Sequence, residues 1–264
     1  MSQYRVAVVG ATGAVGTKIV ELLENSPLPV SELRLLASKR SLGQRRSFRG
    51  QEIEIREAVP EQFEGVDIAF FSAGGSVSKM LVPEAVKRGA VVIDNTSAFR
   101  MEDGVPLVVP EVNMEDAYQH KGIIANPNCS TIQMVTALKP LYDRYGIEKL
   151  IISTYQAVSG AGQQAINELQ EQSAQVLKNE AIEPRILPVK SQSKHYQIAF
   201  NAIPQIDVFQ DNGFTMEEMK MIRETQKIFH APDIAVTATC VRVPVFNGHS
   251  ESVYVELGAD YTIH

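Results

Sequence analysis

The chain has 264 residues, of which 44% are hydrophobic, and a formal net charge of -6. This length suffices for a buried core and would ordinarily divide into two domains. The acidic balance, with no run of basic residues, argues against nucleic acid or an anionic membrane surface as a partner. Because no apolar stretch approaches a membrane span and the N-terminus leads directly into a strand pattern rather than a signal peptide, we expect a cytoplasmic protein.

Cysteine and histidine are sparse and scattered. The chain contains two cysteines, Cys129 and Cys240, and five histidines. None of them shows CxxC or HExxH spacing, so we expect neither a disulfide framework nor a metal site.

The first half of the chain alternates between strand and helix patterns. A β-prone run from Tyr4 to Val9 ends in a glycine cluster, and apolar residues recur at helical spacing over Ala14 to Asn25 and Ser76 to Arg88. Further strands are predicted at Leu33 to Ala37, Val66 to Phe71, Ala90 to Asp94 and Gly122 to Ala125. This alternation predicts an α/β fold with a Rossmann-type, doubly wound parallel sheet.

The pattern changes after Cys129, and we predict domains over residues 1–130 and 131–264. The second part is expected to be α+β, with a polar loop from Lys178 to Lys194. Its predicted elements are a helix to about Tyr145, a strand from Leu150 to Val158, a helix from Gly162 to Leu177, and β-rich stretches at Ile234 to Val245 and Ser252 to Leu257. The turn-forming pair Asn247-Gly248 separates the last two.

The glycine cluster Gly10-Ala11-Thr12-Gly13-Ala14-Val15-Gly16 follows a strand and opens a helix. In that position backbone N–H groups and the positive end of the helix can meet a pyrophosphate. We therefore predict a dinucleotide site formed by Gly10, Thr12, Gly13, Ala14 and Val15. The alternative is that the glycines only allow close packing of strand on helix.

The end of the second strand indicates which dinucleotide is bound. An NAD site usually presents a carboxylate there, whereas this chain has Ala37-Ser38-Lys39-Arg40-Ser41. Two cations and two hydroxyls suit a 2′-phosphate, so we predict NADP, held by Ser38, Arg40 and Ser41. Lys39 or Arg40, taken singly, is equally compatible with an ordinary surface charge.

Cys129 lies in the run Asn126-Pro127-Asn128-Cys129-Ser130-Thr131, where a strand gives way to a helix. The helix dipole and the N–H groups of the first turn stabilise a thiolate at this position, which makes Cys129 a candidate nucleophile. Cys240, inside a predicted strand, is expected to be a small buried hydrophobe.

These segments belong to a larger and specific set. The further members are Ser72-Ala73-Gly74, Asn95-Thr96-Ser97, Val108 to Asn113 and Tyr155 to Gly162. The combination resembles bacterial aspartate-semialdehyde dehydrogenases over essentially the whole chain. Two neighbouring families differ at the nucleophile: phosphorylating glyceraldehyde-3-phosphate dehydrogenase has Ser-Cys-Thr-Thr-Asn and N-acetyl-glutamyl-phosphate reductase has Gly-Cys-Tyr, whereas this chain has Asn128-Cys129-Ser130.

The resemblance implies a reversible reaction that joins aspartate 4-semialdehyde, phosphate and NADP⁺ to 4-aspartyl phosphate and NADPH. It also implies a role in lysine, methionine, threonine and diaminopimelate biosynthesis, and a homodimer formed through the second domain. Two alternatives remain open, namely an acyl-phosphate reductase for another substrate and an NADP-binding sensor without activity. Because family members continue well beyond His264, we expect the second domain to lack its last strands and a final helix.

The resemblance also implies a role for each site residue. It makes Cys129 the nucleophile and His249 the acid/base. It makes Gln156 a substrate-positioning group, Arg242 the partner of the substrate carboxylate and Glu217 the partner of the substrate ammonium. It assigns Arg100 and Lys220 to phosphate, and Ser159 and Gly160 to the nicotinamide side of the cofactor. The chemistry is consistent, since a thiohemiacetal must lose a proton as hydride leaves and an imidazole is a suitable acceptor.

Competing explanations exist for three of these residues. A histidine in a polar turn such as Asn247 to Ser250 is often only a surface residue. Arg242, flanked by valines in a predicted strand, is expected on the same face as Cys240, where a structural ion pair would also explain it. The segment around Glu217 also has the pattern of a helix start capped by Thr215 with Glu218 three residues on.

Overall fold

The computed structural model describes residues 3–262, which separate into two units between Pro127 and Asn128. The first unit has one sheet formed by β1 (Tyr4–Val9), β2 (Val30–Ala37), β3 (Arg45–Phe48), β4 (Gln51–Glu57), β5 (Ile68–Phe71), β6 (Val91–Asp94) and β7 (Ile123–Ala125). Its helices are α1 (Ala14–Asn25), α2 (Gly75–Lys87) and α3 (Pro110–Ala117), and 3₁₀ turns cover Lys39–Ser41 and Pro60–Phe63.

The strand order of this sheet is β3-β4-β2-β1-β5-β6-β7, and every neighbouring pair is parallel except β3 and β4. The order reverses at β1, which has β2 on one side and β5 on the other. In doubly wound sheets ligands bind beside the carboxyl end of such a strand. The glycine cluster that begins at Gly10 directly follows this end.

β1 is buried on both faces, which explains its continuous apolar run. Val6 and Val8 pack in the cluster that includes Val20 and Leu23 of α1, whereas Ala7 and Val9 pack in the cluster that includes residues of α2. Complete burial of each valine contributes roughly 1.5–3 kcal/mol. The glycine turn therefore directly follows a strand that is packed on both faces.

The second unit has a sheet of three strands, β8 (Ile147–Gln156), β9 (Ala235–Arg242) and β10 (His249–Leu257). β8 is central, with β9 parallel and β10 antiparallel to it. The helices are α4 (Cys129–Tyr145), α5 (Gln163–Leu177) and α6 (Met216–Ile228). Alternate β8 residues such as Leu150 and Ile152 are buried, while Ile151 and Tyr155 on the opposite face are exposed.

Most predicted elements are present, and the differences lie at element ends and at irregular connections. The strand predicted over Leu150 to Val158 begins at Ile147 and ends at Gln156, after which a 3₁₀ turn covers Val158–Ala161. The two last strands do not pair with each other, because each pairs with β8. β3, β4 and α3 were not predicted, and the segment from Lys178 to Lys194 contains no helix or strand.

Within residues 3–262, every helix is too short or too polar to cross a membrane.

Candidate active site

Cys129 is the first residue of α4, and its side chain is exposed. Asn128 caps the helix: its side-chain oxygen accepts hydrogen bonds from the backbone N–H groups of Ser130 at 2.9 Å and Thr131 at 3.3 Å. The sequence folds this way because Asn is among the best N-cap residues. The thiol therefore stands at the positive end of a well-defined helix.

Two carboxylates of α6 hold Asn128 in turn. Its backbone N–H donates to Glu224 Oε2 at 2.6 Å, and its side-chain Nδ2 donates to Glu217 Oε1 at 2.8 Å. All three residues are buried, so these charge-assisted bonds are little weakened by water. The position of the candidate nucleophile is consequently tied to α6, which is distant in the sequence.

His249, the first residue of β10, faces the thiol. Its Nε2 lies 3.2 Å from Cys129 Sγ. Its Nδ1 accepts a hydrogen bond from the backbone N–H of Ala157 at 3.0 Å. A ring nitrogen that accepts from an amide carries no proton, so in the neutral ring the proton is on Nε2 and points at the sulfur.

The surroundings of His249 favour its neutral form. Burial, the largest cause, and the charge of Arg242 lower the pKa of His249 from the usual 6.5, against opposing effects of a backbone hydrogen bond at Gly248 and of Glu217. The imidazole therefore stays uncharged over a wider pH range than a surface histidine.

Arg242 is the last residue of β9 and is buried, with 5% of its surface exposed. Its Nη1 donates to the carbonyl oxygen of Ala157 at 2.7 Å, and its backbone exchanges two hydrogen bonds of 2.9 Å with Ile203. Burial is the main reason why its pKa is lowered. Among the described residues no carboxylate forms an ion pair with this guanidinium, so the alternative of a structural ion pair does not explain it.

The backbone N–H and C=O of Ala157 therefore form hydrogen bonds with two of the predicted site residues. Its N–H donates to His249 and its C=O accepts from Arg242. The segment around it is fixed by three further backbone hydrogen bonds, which join Val243 to Gln156, Val158 to Val245 and Ser159 to Phe246. Gln156, the last residue of β8, is buried at 1% exposure, and its Nε2 donates to Thr154 Oγ1 at 3.2 Å.

Glu217 and Lys220 form an ion pair on α6, with Lys220 Nζ 3.0 Å from Glu217 Oε2 and 3.2 Å from Asp207 Oδ2. Burial alone would raise the pKa of Glu217, but Lys220, the Asn128 amide and Arg242 together lower it. Burial would lower the pKa of Lys220, and its two carboxylate partners raise it instead. Both groups are therefore charged at neutral pH.

The capping explanation applies to Glu218 rather than to Glu217. Thr215 Oγ1 accepts from the Glu218 N–H at 3.3 Å, and Glu218 Oε2 accepts from the Thr215 N–H at 2.6 Å. This reciprocal pair is a capping box.

Ser159 and Gly160 lie in the 3₁₀ turn that follows β8. Gly160 is exposed, and a Cβ added to it would come 2.9 Å from Arg242 Nη1.

The glycine turn of the first unit has the features of a dinucleotide cradle. Gly10 has φ +88° and its backbone passes so close to the next loop that a Cβ would lie 2.9 Å from Ala73 N. Gly16 lies against Gly10 O, with which an added Cβ would clash, so close packing does explain this glycine. Gly13 is the N-cap of α1, whose N-terminus has neither a side-chain cap nor an acidic residue in its first turn, and an anion can take that place.

The remaining predicted residues of the first unit lie in two regions, around the 3₁₀ turn that follows β2 and in the segment that follows β6. Thr12 Oγ1 lies 3.3 Å from Ser41 Oγ, which brings the glycine turn next to the 3₁₀ turn that contains Arg40. Lys39 Nζ lies 3.6 Å from Glu57 Oε1, and Arg40 is exposed. Arg100 is buried and its Nη2 donates to the carbonyl oxygen of Asn95 at 3.0 Å.

Sequence reasoning missed several residues that hold the site. Asn128 and Glu224 fix the start of α4, Asp207 shares Lys220, and Ala157 binds through backbone groups alone. Only Asn128, a strong N-cap residue directly before a candidate nucleophile, carried a signal that the sequence could have shown.

Cys240 is buried, as its place in a predicted strand indicated. Its burial is complete, and it raises the pKa of the thiol to about 12. No group of three or more His, Cys, Asp or Glu side chains in residues 3–262 is arranged to hold a metal ion.

The chain matches two family descriptions in succession. Residues 5–120 match the NAD binding domain of semialdehyde dehydrogenases, and residues 138–264 match the semialdehyde dehydrogenase dimerisation domain. The fold and the site therefore define an oxidoreductase of the semialdehyde dehydrogenase class.

Individual relatives narrow this class. The chain is 65% identical over 255 residues to the aspartate-semialdehyde dehydrogenase of Bacillus subtilis, with 97% of this chain and 74% of that protein covered. It is 51% identical, with a TM-score of 0.93 and coverage of 99% and 76%, to the crystal structure of aspartate semialdehyde dehydrogenase II from Vibrio cholerae complexed with ASA. The Candida albicans enzyme crystallised with NADP is 27% identical, with a TM-score of 0.72 and coverage of 99% and 74%. The chain belongs to the aspartate-semialdehyde dehydrogenase family.

The lowered pKa of His249 is directly measurable. We expect an NMR titration of the imidazole ring protons, assigned by the signal lost in His249→Gln, to give a midpoint below 6.5, because burial and Arg242 disfavour the imidazolium. The other histidines serve as internal references. A midpoint for His249 at or above 6.5 would contradict this account of the site.

Proposed function

We propose that the chain interconverts L-aspartate 4-semialdehyde, phosphate and NADP⁺ with 4-aspartyl phosphate and NADPH through a thioester on Cys129, in amino-acid biosynthesis. The observation that carries the proposal is the 3.2 Å contact of Cys129 Sγ with His249 Nε2 at the start of α4. A thiolate and an imidazole N–H that face each other are suited to form a thiohemiacetal and to stabilise its new oxygen by a hydrogen bond.

The residues of the chain perform the covalent steps. The Cys129 thiolate adds to the aldehyde carbon, and His249, the proposed acid/base, donates a hydrogen bond from Nε2–H to the new thiohemiacetal oxygen. The negative charge on that oxygen re-forms the C=O bond as the carbon loses hydride, which leaves the thioester. The bound nicotinamide supplies the hydride acceptor in this direction and the donor in the reverse. A phosphate oxygen then attacks the thioester carbon, the C–S bond breaks, and the thiolate leaves with its electron pair.

Charge complementarity supports the choice of an amino-acid substrate. Arg242 is a buried guanidinium without an ion-pair partner among the described residues, so a substrate carboxylate would complete its hydrogen bonds. Glu217, charged and buried, suits the ammonium group, and the Gln156 amide suits the substrate's polar backbone. Arg100 and Lys220 are the cations proposed for phosphate, and Lys220 would exchange part of its contact with Asp207 for that anion.

The cofactor is proposed to be NADP. The uncapped start of α1 fits the pyrophosphate, with Gly10, Thr12, Gly13, Ala14 and Val15 around it. Ser38, Arg40 and Ser41 offer two hydroxyls and a cation without a nearby carboxylate on their own turn, which fits a 2′-phosphate. Ser159 and Gly160 are proposed for the nicotinamide side. We accordingly propose a nucleotide domain over residues 1–130 and a substrate domain over 131–264.

The outer face of the three-stranded sheet is proposed as a homodimer contact. Tyr254 of β10 is directly opposite Ile151 of β8, and the two are 59% and 46% exposed. Tyr155 on the same face is 45% exposed. Apolar side chains displayed on one sheet face mark a protein interface, and the match of this unit to a dimerisation domain supports a second copy as the partner.

The thioester mechanism requires the sulfur. We expect Cys129→Ala to reduce NADPH formation from semialdehyde, NADP⁺ and phosphate by about 10³-fold or more, because the covalent route is lost. Cys240→Ala is the matched control and should retain turnover, since that thiol is buried and protonated. The absorbance of NADPH reports both rates, and persistent turnover in Cys129→Ala would refute the mechanism.

Cofactor choice is tested at the turn after β2. Arg40→Ala should raise KM for NADP⁺ by about tenfold while leaving KM for NAD⁺ nearly unchanged, because only NADP⁺ has the 2′-phosphate. Lys39→Ala should have a smaller effect, since Lys39 is near Glu57. Equal changes for both cofactors in Arg40→Ala would exclude this assignment.

Charged substitutions on the outer face of the three-stranded sheet test the proposed dimer contact. In analytical ultracentrifugation we expect the intact protein to sediment as a dimer and Ile151→Glu/Tyr254→Glu as a monomer, because buried unpaired carboxylates would oppose association. Leu177→Glu, at a residue that is 76% exposed on α5, is the control and should remain dimeric. An unshifted double variant would place the interface elsewhere.

A further inference from the structure

We propose that Gly160 is a positioning residue for Arg242, which sets the site for the substrate carboxylate by leaving room for the guanidinium. This inference rests on the proposed role of Arg242. It adds a function to Gly160 beyond the cofactor contact proposed above, and it makes residue 160 a determinant of substrate affinity.

The contacts at Gly160 carry the inference. The three heavy atoms nearest to an ideal Cβ at this residue all belong to the Arg242 guanidinium, with Nη1 at 2.9 Å and both Cζ and Nη2 at 3.8 Å. A carbon at 2.9 Å from a nitrogen is inside normal van der Waals contact, so a side chain and this guanidinium position exclude each other.

Backbone conformation does not explain the glycine. Gly162, two residues on, has φ +87°, a conformation that favours glycine, whereas Gly160 is not among the residues with positive φ. An alanine at 160 can therefore adopt the same backbone, and its methyl group would make its closest contact with Arg242.

The guanidinium cannot give way without loss. Nη1 donates to Ala157 O at 2.7 Å, the same carbonyl that accepts from the Gly160 N–H at 3.4 Å, and Arg242 is buried with its backbone bonded to Ile203. If Nη1 were displaced, it would lose its hydrogen bond to the buried Ala157 O, and the guanidinium would rotate away from its position. A carboxylate binds most strongly to two guanidinium N–H donors in a fixed geometry, so this rotation would weaken binding of the substrate carboxylate.

The experiment is steady-state kinetics of Gly160→Ala in the oxidative direction. We expect KM for L-aspartate 4-semialdehyde to rise about tenfold, the effect of weakening a charge-assisted hydrogen bond, with little change in KM for NADP⁺. With 3-aminopropanal, which lacks the carboxylate, the variant and the unmodified protein should have equal kcat/KM. Ala161→Ser, which adds one atom at the neighbouring exposed residue of the same turn, is the control and should match the unmodified protein.

A double variant separates the possible outcomes. If Gly160 acts through Arg242, Gly160→Ala/Arg242→Ala should have the same KM for the semialdehyde as Arg242→Ala alone. A rise in KM for NADP⁺ with an unchanged KM for the semialdehyde would overturn the inference in favour of a cofactor contact only, and so would additive effects in the double variant. An unchanged KM in Arg242→Ala would instead refute the proposed role of Arg242 itself.

Discussion

The contact between Cys129 Sγ and His249 Nε2, 3.2 Å long, depends on two backbone constraints. Asn128 starts α4 at the thiol, and the N–H of Ala157 holds the far side of the imidazole. The same Ala157 residue holds Arg242 through its carbonyl. A single peptide segment at the end of β8 therefore fixes the spacing between the proposed acid/base group and the proposed substrate anchor, while another element supplies the candidate nucleophile.

Buried charges determine which group of the proposed substrate each side chain could bind. Glu217 and Lys220 neutralise each other, and Glu224 bonds the Asn128 backbone, so both carboxylates have partners inside the unit. Arg242 has only a carbonyl acceptor among the contacts found in residues 3–262. Because an unpaired buried cation is costly, binding a carboxylate is worth most at this group. The proposed preference for a substrate carboxylate would then arise from the incomplete ion pair of Arg242.

Local sequence patterns predicted the parts of the fold that depend on short-range rules. β1 and α1 have the predicted ends, since an apolar run, a glycine turn and helical spacing are all local signals. The short hairpin of β3 and β4 has a polar sequence and was missed, and the pairing of β8 with both β9 and β10 depends on long-range contacts. In the site, residue types suggested Cys129, but the family resemblance was needed for Arg242 and Glu217. The roles of Glu224, Asp207 and the Ala157 peptide arise only when distant segments meet.

Direct observation of the acyl-enzyme tests the central claim. The protein is mixed with NADP⁺ and L-aspartate 4-semialdehyde without phosphate, quenched in acid, digested and analysed by mass spectrometry. The account predicts that the peptide containing Cys129 gains an aspartyl group in thioester linkage as NADPH appears in equal amount. NADPH formation with an unmodified Cys129, or an adduct on Cys240 instead, would contradict it.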